Sequence, residues 1–440
     1  MMRKLLLFML GSLMVFLTAC GGSESAGPQG GSQNPADSKP EPVELVFYNI
    51  SRDAESVFME QYGNAIQAKF PHITIKYVER IAGQTDLAQY IPTKQPIDLI
   101  WGSLGSWPGI FEYQLQYDME DLLKKHKVDL NRFEPGLIDA VRALGNGKLY
   151  GIPVENSTTI IAYNKDLFDK FGVPYPKDGM TWEEFANLVR RMNRNIDGVI
   201  YTSYTPSENH LVLSNAFGLP LIDPVTNRSR YDDPNWKKII ETELLQFTND
   251  PVYQEALAKA GGKLLSDSLF YKDRTMATAN IGPAHFTVFK QELSQFNWDI
   301  VSYPYYPELP KVGTSPYPQV WSVASISQHK DEAMKVIEFL TSDEFQMERS
   351  KRGIMTSLAN DNIKKAMGRE AYFKDKNYAA FYYNKFPQVP AKSEWDSKAV
   401  PYQFLSKKLR DIANGKTDVN TALRTAHEEL NQKLNELQGK

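Results

Sequence analysis

The apolar positions of this chain change period along its length. Glu44-Leu45-Val46-Phe47-Tyr48 and Ile73-Thr74-Ile75-Lys76-Tyr77-Val78 are short runs rich in β-branched and aromatic residues, and they predict strands. Ile97-Asp98-Leu99-Ile100-Trp101 predicts a third. Between the first two, Ala54 to Phe70 places Val57, Phe58, Tyr62 and Ile66 on one side of a helix that stops before Pro71. Strands alternating with helices predict a parallel sheet covered on both faces, with ligands beyond the carboxyl ends of its strands. The loops after Phe47 and after Ile100 are therefore candidate ligand loops.

Further along, Gly145-Asn146-Gly147 predicts a tight turn. Thr158-Thr159-Ile160-Ile161-Ala162-Tyr163 predicts a strand, and a helix follows with Leu167, Phe168 and Phe171 on one face and Gly172 as its stop. Thr181 with Glu184 three residues later is a capping box, and Trp182 on that helix reads as a packing residue. Val199-Ile200-Tyr201 is a short strand, and Trp298 to Tyr306 reads as another. Asp331 to Glu344 is a periodic helix with Ala333, Val336, Ile337 and Leu340 apolar. Val400 to Leu437 is two helices divided at Asn414-Gly415-Lys416-Thr417.

The first residues follow a different rule. Met1-Met2-Arg3-Lys4 is a basic start, and Leu5 to Ala19 is an apolar run shorter than the about 20 residues that a membrane span needs. It has the form of a secretory signal. Residues 21–42 are Gly, Ser, Pro and polar residues without an aromatic, the composition of a flexible tether. Cys20, between the two, is the one cysteine of the 440 residues, so no internal disulfide can form. Without residues 1–19 the chain carries 48 Lys and Arg against 53 Asp and Glu, a net charge of −5 that offers no basic patch for nucleic acid.

Catalytic signatures are missing. There is no nucleophile elbow, phosphate loop or HExxH, and the six His show no metal-ligand spacing. The Asn193-Asn195-Asp197-Gly198 stretch lacks the acidic residue that a calcium loop needs six positions after its Gly, where Tyr204 stands. No catalytic residue, metal or cofactor is expected, and an enzyme such as a glycoside hydrolase would have to place two facing carboxylates among the 53 acidic residues, which sequence does not show.

Several motifs carry a resemblance. Gly147-Lys148-Leu149-Tyr150-Gly151-Ile152-Pro153, the Tyr163-Asn164-Lys165-Asp166-Leu167-Phe168 corner, Thr181-Trp182-Glu183-Glu184-Phe185, the 331–342 helix and Gly415 to Leu430 together resemble family 1 of the extracellular solute-binding proteins, a sugar-binding group that includes maltose-binding protein. Leu17-Thr18-Ala19-Cys20 resembles the lipobox of bacterial lipoproteins. The first resemblance covers residues 43–440. It implies an α/β fold of the type II periplasmic-binding-protein kind, two α/β lobes joined by a hinge with a ligand cleft between them. The expected organisation is a signal peptide at 1–19, a lipidated tether at 20–42, a first lobe from 43–154 with 303–350, and a second from 155–302 with 351–440. Chain crossings are expected near Glu155, near Tyr303 and at Ser350 to Gly353.

The function implied is a monomeric receptor of an ABC importer that closes on a mono- or oligosaccharide and hands it to permease subunits. Cleavage before Cys20 and lipid on its sulfur would hold it on the outer face of the cell membrane, as in a Gram-positive bacterium. Two alternatives stay open: the same receptor for a non-sugar polar solute, and a glycan-binding surface protein with no transport role. Sugars present C–H faces that pack on rings and hydroxyls that need polar partners. Candidate rings are Tyr48, Trp101, Trp107, Tyr204, Trp321 and Trp395, and candidate polar contacts are Asn49, Asn156 and Asn280. The resemblance adds Glu155, at the hinge and facing the cleft. His285 is a further polar candidate, since Ala284 and His285 stand where the family commonly has Trp.

Overall fold

The strands are β1 (Val43–Asn49), β2 (Ile73–Val78), β3 (Leu99–Ser103), β4 (Ile152–Asn156), β5 (Ile160–Asn164), β6 (Arg194–Ile196), β7 (Val199–Tyr201), β8 (Thr278–Ile281), β9 (Trp298–Val301), β10 (Pro318–Val323) and β11 (Met355–Thr356). They come from a computed structural model that describes residues 40–439. The expected signal segment, Cys20 and nearly all of the expected tether lie outside the described residues.

The strands form two separate sheets and a small hairpin of β6 and β7. The first sheet runs β11-β4-β10-β3-β1-β2. Its β1, β2 and β3 are parallel, as the alternation of strands and helices predicts. β4 runs the same way, but β10, antiparallel to both β3 and β4, and β11, antiparallel to β4, run the opposite way. The second sheet, β8-β5-β9, is antiparallel throughout. The expectation of one parallel sheet therefore fails for β10 and β11 and for the whole second sheet, because the chain leaves the first sheet after β4 and returns to it from the opposite direction.

Register shows where it leaves and returns. Gln319 lies opposite Ser103, Pro318 opposite Asn156, and Met355 opposite Asn156. The carboxyl ends of β3 and β4 and the amino ends of β10 and β11 thus share one edge. Only residues 157–159 separate β4 from β5, so the first crossing between the sheets is short.

Two apolar clusters accompany the two sheets. One holds Leu45, Phe47, Phe58, Tyr62, Trp101, Ile152, Trp321 and Ile337 among others, and the second holds Ile161, Phe168, Trp182, Tyr204, Trp236, Ile300, Leu409 and Leu430. Membership moves two expected boundaries. Tyr303 and Tyr306 belong to the second cluster, so the return to the first sheet comes at Pro318 and not at residue 303. Leu358 and Ile363 belong to the first cluster, while Met355 and every later cluster residue from Met367 on belong to the second. Ser350 to Gly353, where a crossing is expected, lies at the turn between the 343–351 helix and β11, and Met355 on β11 packs in the second cluster.

Local signals are realised closely. The Thr181 hydroxyl accepts the Glu184 amide at 3.2 Å while the Glu184 carboxylate accepts the Thr181 amide at 2.8 Å. Trp182 is buried behind this capped turn. Gly172 ends its helix with φ of 63°, a left-handed position that favours Gly. The Glu55–Lys69 helix differs in one respect: Met59–Gly63 is a π-helical segment, and Val57, expected on the buried side, is exposed.

Candidate ligand cleft

The edge shared by Ser103, Asn156 and Pro318 is where both loops picked out in the sequence converge. Asn49, buried at the end of β1, shapes the loop beyond it: its Oδ1 accepts the Ser51 amide and its Nδ2 donates to Asp53 at 2.9 Å. Ser51 Oγ then accepts the Ser103 amide at 3.1 Å, joining the β1 loop to the end of β3. Ser103 Oγ lies 3.1 Å from Ser106 Oγ and 3.2 Å from the Tyr317 hydroxyl. Asn156 Oδ1 accepts the Tyr317 amide at 2.9 Å, and the Ser157 amide donates to the Tyr317 carbonyl at 3.2 Å. A row of hydroxyls with one ring, Ser51-Ser103-Ser106-Tyr317, therefore lines the rim from which the first and second crossings depart.

The expected ring platforms are not on that rim. Trp101 and Trp321 are directly paired across β3 and β10, with ring centroids 5.4 Å apart and planes 14° from parallel. Tyr62 packs edge-on against both, Phe58 covers them further, and both indoles are fully buried. They are core residues whose truncation to Ala would cost about 3–5 kcal/mol of stability. Trp107 and Tyr48 are buried in the same cluster, the Tyr48 hydroxyl donating to the Thr85 carbonyl at 2.7 Å.

Glu155 does not face a cleft either. Its Oε2 accepts Arg349 Nη2 and, at 2.9 Å, the Tyr62 hydroxyl, and the Arg349 guanidinium lies 4.7 Å from the centroid of the Tyr62 ring. Arg349 also donates to the Gln61 carbonyl at 3.2 Å. Burial alone would lower the Arg349 pKa, but Glu155 and Tyr62 outweigh it and raise it. Glu155 is a structural anchor at the root of the first crossing.

In the second lobe the Tyr204 hydroxyl and the Asn280 side-chain amide pair at 3.1 Å; Tyr204 is fully buried and Asn280 half-buried on β8. His285 turns inward: its Nδ1 accepts the Gly282 amide at 3.1 Å, its ring stacks toward Tyr271, and burial lowers its pKa, so it is neutral at pH 7. Trp395 packs against the second cluster, half-buried, with Lys398 Nζ 5.1 Å from its ring centroid. Among the described residues no group of three or more His, Cys, Asp or Glu is placed to hold a metal, and no helix is long and apolar enough to cross a membrane.

Comparison with known proteins settles the family. The model of the bacterial extracellular solute-binding proteins matches residues 52–347. The chain belongs to this family. Solved structures share the fold across its length, as two-lobed sugar-binding proteins of the type II periplasmic kind. A sugar transporter from Rhizobium etli in an open conformation is 21% identical, with a TM-score of 0.70, over 88% of this chain and 99% of its own. An ABC substrate-binding protein from Listeria monocytogenes in complex with cycloalternan is 19% identical, with a TM-score of 0.67, over 91% and 100%. The sugar-binding protein MalE from Xanthomonas citri is 18% identical, with a TM-score of 0.66, over 90% and 98%.

Of the expected site residues, this solute-binding protein brings Asn49 and Asn156 to the rim, both as residues that shape it. Sequence reasoning missed Tyr317, Ser103 and Ser106. The available signal was Pro316-Tyr317-Pro318, a ring locked between two prolines just before a strand.

It also missed Glu243. This carboxylate is buried in a second π-helical segment, Glu241–Leu245, and no cation pairs with it among the described residues. It accepts the Tyr306 hydroxyl at 2.7 Å and the Tyr303 hydroxyl at 3.4 Å, both on the segment that leads from β9 to the second crossing. Burial pushes its pKa up from 4.5 to about 7, against the pull of the two hydroxyls. A raised acid value means that the folded state holds the proton more tightly than the unfolded one. Stability that is full below pH 4.5 is therefore lost as pH rises toward 7, by about 3 kcal/mol over the window. His210, edge-on to Tyr303, slopes the other way: burial lowers its pKa from 6.5 to about 4, so its contribution is lost as pH falls. Comparing Glu243→Gln with the parent at each pH isolates Glu243. Urea unfolding should show the variant gaining on the parent by about 3 kcal/mol between pH 5 and pH 8. A constant difference would mean that Glu243 does not titrate in that range.

Proposed function

We propose that this protein is the sugar receptor of an ABC importer, closing two lobes on a carbohydrate and presenting it to permease subunits. The first lobe comprises residues 43–156 with 318–366, and the second 157–317 with 367–439. The observation that carries the reading is the shared edge of the first sheet, from which a three-residue crossing leaves and to which the chain returns at Pro318. That edge is lined by hydroxyls and a ring, groups suited to a neutral polyhydroxylated solute. Similar proteins support the class, since their structures hold cycloalternan, mannobiose and α-D-tagatose. Family membership favours binding without covalent chemistry.

Lipid on Cys20 would hold the receptor at the membrane, with the 21–42 segment as its tether. The motif Leu17-Thr18-Ala19-Cys20 motivates this part. In a bacterial host, Cys20→Ser should leave the membrane fraction or accumulate as precursor. Processing and fractionation like the parent would remove the anchor from the proposal.

The ligand class is tested by thermal shift of residues 42–440 against neutral sugars, uronic acids, polyols, polyamines and amino acids. Ligand at about 100 times its Kd adds about 2.7 kcal/mol to the folded state. At least one neutral sugar should raise the melting temperature by several degrees. Stabilisation by a polyamine or an amino acid, with none by any sugar, would contradict the sugar reading.

A further inference from the structure

We infer that Tyr317, with Ser103 and Ser106, is a preformed shelf for the C–H face of a neutral pyranose or furanose ring. The inference rests on the receptor reading above and names a subsite within it.

The ring of Tyr317 is 44% exposed, although almost every other group of the residue is fixed. Pro316 and Pro318 restrict the backbone on both sides. Its amide donates to Asn156 and its carbonyl accepts the Ser157 amide, so it is stitched to the first crossing while lying on the second. Its hydroxyl lies 3.2 Å from Ser103 Oγ. Gly105 makes room for that hydroxyl, since a Cβ there would lie 2.8 Å from the Tyr317 oxygen. An ordinary surface tyrosine has no need of five such constraints. A ring held this way loses little conformational entropy when a ligand covers it.

Position separates Tyr317 from the other exposed ring. Tyr372 is 64% exposed, but it sits away from the shared edge with Lys290 Nζ 4.0 Å from its centroid. Among the described residues no cation lies over Tyr317. Its exposed surface therefore has a neutral partner to find, and an aliphatic C–H face is the match for a π surface beside hydroxyls. Ser103 and Ser106 can each donate and accept, which suits vicinal sugar hydroxyls.

Charge in the adjoining loops argues for a neutral ligand. Arg80 Nε is paired with Asp86 at 2.6 Å, Arg52 lies 3.7 Å from the same carboxylate, and Asp53 accepts from Asn49. Among the described residues no carboxylate or guanidinium is hydrogen-bonded to the side chains of Ser103, Ser106 or Tyr317. An acidic or amino sugar would find no counter-charge on the shelf itself.

The test uses two variants of similar bulk, so that loss of folding does not confuse the result. Tyr317→Leu removes the flat ring and Tyr317→Phe keeps it. Parent and variants are titrated calorimetrically with mannobiose, maltotriose, xylobiose, tagatose and galacturonate, and their ligand-free melting temperatures are compared. The expected result is that the parent binds a neutral sugar of this set. Tyr317→Leu should bind it at least about tenfold more weakly, Tyr317→Phe within about threefold, and all three should melt alike without ligand. If Tyr317→Leu binds the sugar as tightly as the parent, the shelf is wrong and the receptor reading stands. If galacturonate alone binds, the neutral class is wrong. If the parent binds no sugar at all, the receptor reading fails and the shelf with it.

Discussion

The antiparallel insertion of β10 between β3 and β4 is the constraint on which the rest of the molecule depends. A strand in that place must begin at the edge where β3 and β4 end, so Pro318, Asn156 and Ser103 are forced into one line. Everything between Asn156 and Pro318 must then leave and re-enter the first sheet at that line, and it does so as a second lobe with its own antiparallel sheet. The candidate ligand site follows from the same geometry. Loops at the carboxyl ends of β1 and β3 meet the crossing segments there.

Each end of the crossings is rooted in a buried polar tie, and each tie involves a π-helical segment. In the first lobe Tyr62, from Met59–Gly63, joins Arg349 on Glu155 one residue before the chain departs. Removing one partner from such a pair costs about 3–5 kcal/mol, because the other charge stays buried. In the second lobe Glu243, from Glu241–Leu245, accepts the hydroxyls of Tyr303 and Tyr306 on the returning segment. A π turn carries one extra residue, which turns a side chain to a place that a regular helix would not offer. In the proposed receptor, bending would fall in the short stretches between these roots, residues 157–159 and the Gly313 to Pro316 run.

Much of the fold was legible in the sequence. The capping box at Thr181 and Glu184 and the stop at Gly172 are local chemistry, and they formed as local chemistry demands. The two-lobed class was legible only through whole motifs that resemble a family, because which strand returns beside which is decided by contacts more than 150 residues apart. Site residues were the least legible part. Leu99 to Gly102 is buried without alternation, so the strand gives no clue to which of its side chains face a cleft, and Trp101 was misplaced for that reason. Glu155 looked available because its partner, Arg349, lies 194 residues away. Tyr317 was not singled out as a site residue, because a Pro-flanked position has no periodicity to read.

The central claim is that the two lobes move about these crossings when a solute binds. Small-angle X-ray scattering of residues 42–440, alone and with a saturating sugar identified by titration, tests it most directly. The account predicts a smaller radius of gyration with sugar bound, reversed when the sugar is dialysed away. An unchanged radius at proven saturation would contradict it, and would describe a rigid glycan binder instead of a receptor that closes.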